Sequence, residues 1–185
     1  MNVTIRKAIL KSLMTAAAIA SLSAGSSASA QTTSSKMEGM QLSQDQPIAI
    51  DSDQLEIRDQ ERKAYFTGNV KVVQGTTTLK AGKMTVTYKG EGSSMTSGNA
   101  DIEKIFVDNQ VFLSSEDQTA TADHGEFDME RQVFILTGER VVLSQDKNVF
   151  TGCKLTVQMN SGEAKLESCG GPVRILLDPK SQKKQ

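Results

Sequence analysis

Between residues 45 and 88 apolar side chains fall on every second position. They are Ile48 and Ile50, Leu55 and Ile57, Phe66, Val70 and Val72, Leu79 and Ala81, then Met84, Val86 and Tyr88. A repeat of two is the signature of strands with one buried face. The parity slips between Ile50 and Leu55 and again between Ala81 and Met84, around Asp53 and Gly82. A one-residue slip turns the apolar set outward unless the strand bends or bulges, so each slip predicts a corner.

The pattern returns 70 residues later. Asp53, Gly68 and Gly82 reappear as Asp123, Gly138 and Gly152, and around them SDQLEI answers to ADHGEF, YFTGNV to ILTGER, and GKMTV to GCKLTV. An internal repeat of β units predicts neighbours that cover one another's apolar faces. Turn residues separate the runs at Asp59–Arg62, Gln74-Gly75, Lys89–Ser94, Asn160–Gly162 and Gly170–Pro172. Further apolar runs lie at Ile102–Phe106, Val111–Leu113 and Val173–Leu177. Outside the N-terminal segment no stretch carries the i, i+3, i+4 spacing of a helix. The expected fold class is all-β, as a sandwich, barrel or jelly roll.

The N-terminal segment differs in kind. Arg6, Lys7 and Lys11 flank or open an apolar, alanine-rich run from Ile9 to Ala24, which ends in Ala28-Ser29-Ala30. A basic start, a short apolar stretch and an Ala-x-Ala site describe a secretory signal peptide over residues 1–30; the alternative is a retained anchor. Residues 31–44 are polar and unpatterned, a flexible leader. Residues 45–179 form the β domain, and 180–185 a disordered tail.

Composition narrows the function. Removing the signal takes three of the 21 Lys+Arg and none of the 22 Asp+Glu, leaving 18 basic against 22 acidic residues. That balance argues against a nucleic-acid binder, which needs a basic stripe to neutralise phosphates. Cys153 and Cys169 are the sole cysteines. An even count in an oxidising compartment predicts a disulfide, the alternative being two buried thiols. One histidine is too few for a zinc or cupin-type metal site. His124, flanked by Asp123 and Glu126, has no nucleophile motif to serve and reads as an outward-facing strand residue. The acidic pairs Asp51 with Asp53 and Asp123 with Glu126 fall at corners, where aspartates cap turns. No enzyme activity and no cofactor are expected.

What remains is the apolar face itself. Ile48, Ile50, Leu55, Ile57, Met84, Val86, Phe127 and Met129 are expected to line the inside. Six methionines lie beyond the signal, soft side chains that suit variable apolar ligands. With aromatics scarce, the interior is expected not to fill itself.

DQPIAIDSDQ, FTGNVKVVQGT, LKAGKMTV, LTGERVVL and GCKLTV, in that order and spacing, resemble the periplasmic lipopolysaccharide-transport protein A (LptA, OstA-like) family. The likeness runs from about Asp45 to Pro179. It implies an open, V-shaped β-jelly-roll of antiparallel strands with an apolar interior groove that binds lipopolysaccharide by its lipid A acyl chains. It also implies a periplasmic bridge between an inner-membrane export complex and an outer-membrane translocon, assembled head to tail by edge-strand pairing. The alternatives are the membrane-anchored inner-membrane partner of the same system and a structural β adaptor without cargo. By matching position, Ile48, Ile50, Phe127 and Met129 fall on groove-lining strands, and Ile105 with Val107 on a further one. The Cys153–Cys169 pair is not part of the family's pattern. Arg140, in GER where the first half has GN, leaves the register of the second half open.

Overall fold

Alternation becomes structure from residue 49 onward. A computed structural model describes residues 46–179 apart from Glu91 and Asn99, together with Ser35 and Lys36. The segment expected as a signal, most of the expected leader and the expected tail from 180 lie outside the described residues. The strands are β1 (Ser35–Lys36), β2 (Ala49–Asp51), β3 (Gln54–Arg58), β4 (Lys63–Gln74), β5 (Thr77–Lys89), β6 (Asp101–Ser115), β7 (Gln118–Asp128), β8 (Val133–Gln145), β9 (Asn148–Gln158), β10 (Glu163–Glu167) and β11 (Arg174–Leu176). Two residues of the segment expected as leader thus pair with the body of the fold, at β10.

All pairings are antiparallel and run in the order β1-β10-β9-β8-β7-β6-β5-β4-β2, with β3 also on β4 and β11 also on β9. The fold is all-β, an open sheet that does not close into a barrel. The edge strands come in pieces: β2 and β3 share one flank of β4, and β10 and β11 share one flank of β9.

A line of register shifts crosses the sheet. It passes between Thr67 and Val70, Lys80 and Lys83, Asp108 and Val111, Thr121 and His124, and Thr137 and Val141. Each bulge adds twist and bends its strand. Ile50 on β2 and Phe127 on β7 line one cavity although four strand spacings separate them. In a flat sheet that separation is about 19 Å, so the sheet folds over and its apolar face encloses a core. Phe66, Leu79, Val107, Leu113, Leu136 and Leu155 are among its buried members.

The repeated Asp and Gly build the corners. Asp53 N–H donates to Gly68 O at 2.9 Å, and Asn69 Nδ2 donates to Asp53 Oδ2 at 2.8 Å. In the second half Glu139 N–H donates to Asp123 Oδ2 at 2.8 Å. A Cβ on Gly68 would collide with the Asp53 carboxylate, and one on Gly138 with that of Asp123. Gly68 also sits at φ 80°, in the left-handed region that side chains resist. The carboxylate occupies the place a side chain would take.

Beyond Gly138 the repeat is not displaced by a constant 70. Thr67 to Val70 is the shift in β4, but Thr137 to Val141 is the shift in β8. Arg140 belongs to the one-residue excess, and everything after it moves by one. Val157 therefore matches Val86, since each faces the matching residue, Phe134 or Ala64, on the preceding strand. Gly152 matches Ala81 in the ladder and not Gly82.

Candidate apolar groove

The folded sheet encloses an apolar cavity lined by residues of β2, β4, β5, β6 and β7 and by Met95 of the β5–β6 loop. Six of the residues expected as lining are brought together there: Ile48, Ile50, Met84, Val86, Ile105 and Phe127. Four are not. Val107 is wholly enclosed in the core, opposite Gly125 where a Cβ would come within 2.7 Å of Val107 Cγ2. Ile57 and Met129 pack against the core as half-buried residues outside the cavity. Leu55 is 53% exposed. It shares a face with buried Phe66, its ladder partner, but β3 is an edge strand and none of the described residues covers it.

Sequence reasoning missed other lining residues, among them Val72, Leu79, Ile102, Leu113 and Met95. Ile102, out of phase with Ile105, reaches the inner face through the register shift between Thr87 and Tyr88, whereas Val72, Leu79 and Leu113 carry the same alternation and were available from it. Met95 was not, because it lies in a turn-rich loop without strand periodicity.

The loop is held by one carboxylate. Tyr88 O–H donates to Asp59 Oδ1. Ser94 Oγ donates to Asp59 Oδ2 at 3.1 Å and Thr96 Oγ1 at 3.4 Å. The two hydroxyl residues flank Met95 and set it over one end of the cavity. The Tyr88 hydroxyl holds the Asp59 carboxyl below its ordinary range, helped by the hydroxyls of Ser94 and Thr96. Burial pushes the Tyr88 phenol up to about 12, and the Asp59 carboxylate adds to that.

The other end is polar. Gln74 and Thr77 line the cavity, and the ladder continues from Thr77 to Ser115 and from Ser115 to Gln118, all buried. Thr77 Oγ1 donates to Ser115 Oγ at 3.2 Å, and Gln74 Nε2 to Gln46 O at 3.0 Å. Gln118 Oε1 is buried with no hydrogen-bond partner among the described residues.

Free space inside the cavity is only about 40 Å³, enough for a few water positions. The interior is better filled than the scarcity of aromatics led one to expect. Met84, Leu113 and Phe127, stacked on Phe134 at 5.4 Å between centroids, occupy it. His124 lies on the exposed outer surface with Nδ1 2.7 Å from Asp108 Oδ1. The cysteines are bonded, Cys153 on β9 to Cys169 in the link between β10 and β11. No helix among the described residues is long and apolar enough to cross a membrane.

Comparison with known proteins adds the following. Residues 49–163 match the family described as LptA/(LptD N-terminal domain) LPS transport protein. An uncharacterized protein of Rhizobium meliloti is 58% identical over 183 residues, covering 97% of this chain and 98% of that one. The lipopolysaccharide export system protein LptA of Escherichia coli is 31% identical over 114 residues, covering 60% of this chain and 60% of its own length. Among solved structures, LptH, the LptA-homologous periplasmic component of the lipopolysaccharide transport device of Pseudomonas aeruginosa, superposes with a TM-score of 0.60 at 17% identity, covering 72% of this chain and 96% of that one.

Proposed function

The chain belongs to the LptA/(LptD N-terminal domain) LPS transport protein family, and from that membership we propose that it is a periplasmic carrier and bridge module. It takes lipopolysaccharide by its acyl chains, shields them from water and hands them on between inner- and outer-membrane complexes. It performs no catalysis.

The observation that carries this reading is the continuity of the apolar inner face out to both edges of the open sheet. Ile48 and Leu55 stand exposed at one edge, and Ile175 and Leu177 at the other. An acyl chain of about a dozen methylenes costs on the order of 10 kcal/mol to leave in water, at roughly 0.8 per CH₂. A face that runs uninterrupted from joint to joint removes that cost along the whole route. With about 40 Å³ free in the unloaded state, loading must part the two halves of the folded sheet. Of the strands that line the cavity β2 is the shortest, pairing over three residues. A passive groove equalises occupancy, so direction must come from elsewhere in the system.

The test is lipopolysaccharide binding by the purified mature protein. Ile48→Asp and Met95→Asp place a charge in the lining at exposed or half-buried positions, so the fold should survive. Phe127 is unsuitable, because it is fully buried and its loss would unfold the sheet. Both variants are expected to lose at least tenfold in affinity while keeping the β circular-dichroism spectrum. Unchanged affinity in both would refute the groove. The small free space favours one rival, a closed β adaptor that joins envelope proteins by its edges. That rival predicts partner binding without any uptake of lipid.

A further inference from the structure

The two halves of the sheet meet at β6 and β7, and this internal seam is a template for a joint between copies. On one side Val86 pairs with Ile105 on β6, as Val157 pairs with Ala164 on β10. Met84 pairs with Val107 as Leu155 pairs with Leu166, and Leu79 with Leu113 as Phe150 with Ile175. Strands β10 and β11 are therefore β6 in two pieces, with the disulfide-bearing link 168–173 in place of the bulge at Asn109 and Gln110. On the other side Ile57 faces Ala64 as Phe127 faces Phe134, and Ile50 faces Val72 as Ala120 faces Leu143. Strands β2 and β3 are β7 in two pieces.

Across the internal seam Ile105 stands opposite Phe127, Val107 opposite Gly125 and Leu113 opposite Ala120. Transferred to two copies, that register sets Ala164 opposite Ile57, Leu166 opposite Leu55, and Ile175 opposite Ile50. Continued past β11, it brings Leu177 opposite Ile48. Each exposed apolar residue in this register meets an apolar partner: Ile48 at 39% meets Leu177 at 50%, Leu55 at 53% meets half-buried Leu166, and Ile175 at 40% meets half-buried Ile50.

The outer flank of β10 is already occupied. Ser35 of β1 stands opposite Ala164 and Lys36 opposite Glu163, antiparallel. In the transferred register Ile57 of a second copy would stand opposite Ala164 and Arg58 opposite Glu163, in the same direction. We propose that β1 is a place-holder. It covers the β10 half of the C-terminal edge in the isolated chain and is displaced when β2 and β3 of a second copy pair with β11 and β10. Among the described residues the outer flank of β11 carries no strand, so the incoming β2 has a foothold there before β1 leaves. This rests on the edge-pairing half of the function proposed above and adds to it a register and a self-limiting cap.

Two measurements test it, both on the mature chain with its disulfide intact. Under mild oxidation an Ile50→Cys protein mixed with an Ile175→Cys protein is expected to give a covalent dimer. Ile50→Cys mixed with Leu176→Cys, on the opposite face, is not. A dimer from the second mixture and none from the first would overturn the register. Separately, Ser35→Pro, or deletion of residues 31–44, is expected to bring oligomers on at a roughly fivefold lower concentration. That shift is worth about one net backbone hydrogen bond. Onset unchanged or delayed in both would overturn the cap. If no variant assembles at any concentration the joint itself fails. Lipopolysaccharide affinity, measured on the same samples, reports separately on the carrier reading.

Discussion

Two glycines and their aspartates show how far single residues direct this fold. At Gly68 and Gly138 the space a Cβ would need belongs to a carboxylate, but only Gly68 also has positive φ. Gly68→Ala is expected to cost the displaced carboxylate plus left-handed strain of about 1–2 kcal/mol. Gly138→Ala should cost the displacement and a backbone clash, because the added Cβ would also lie 2.9 Å from Asp123 N. Urea midpoints are expected to fall for both variants, and an unshifted midpoint in either would show that its carboxylate yields without cost. Asp59 supplies a second test. Its carboxyl is held below the ordinary value of 3.8, chiefly by the Tyr88 hydroxyl. A depressed carboxyl contributes stability that is present above its unfolded value and lost as pH falls through the lower folded one. The stability gap between the native protein and Asp59→Asn, followed by thermal midpoint, should therefore stay constant above about pH 5 and shrink as the solution is acidified. A gap independent of pH would remove the latch on the Met95 loop.

Among the elements, the edge strands differ most from their counterparts inside the sheet. Where β6 and β7 run through their bulges unbroken, β2 with β3 and β10 with β11 are divided. Short, broken edges are weak templates for unwanted pairing. At the C-terminal edge the break is stapled by Cys153–Cys169, which closes a loop spanning a sequence separation of 16. Loop-closure entropy puts its contribution at about 3 kcal/mol. Cys153→Ala with Cys169→Ala is expected to lose about that much in denaturant unfolding, whereas no loss would leave the staple without a stabilising role. The strands themselves were legible, because Ile48 to Tyr88 alternate and the parity slips at Asp53 and Gly82 coincide with a strand break and a bulge. The register of the second half was not. One extra residue at Arg140 shifts every later pair, and a local bulge leaves no periodic trace until its partner strand is known. Leu55 reads as lining from the sequence for a related reason. Alternation tells which face a residue is on, but not whether another strand lies over it.

At the scale of the whole molecule, free volume is the quantity alternation could not give, since it depends on how Met84, Leu113, Phe127 and Met95 meet across the fold. The interior is apolar as the pattern implied and nearly full, so the lipid uptake we propose requires a widening of the sheet rather than insertion into a preformed slot. The connectivity has a consequence of its own. From β4 to β10 every strand pairs with its immediate predecessor in the chain. Ladders of this kind need only short loops to close and so assemble quickly for an all-β protein. A polypeptide delivered from its N-terminus onward, as through a narrow translocation pore, can lay each strand against one that has already emerged. The apolar face then need never wait, bare and in bulk, for a distant segment to arrive.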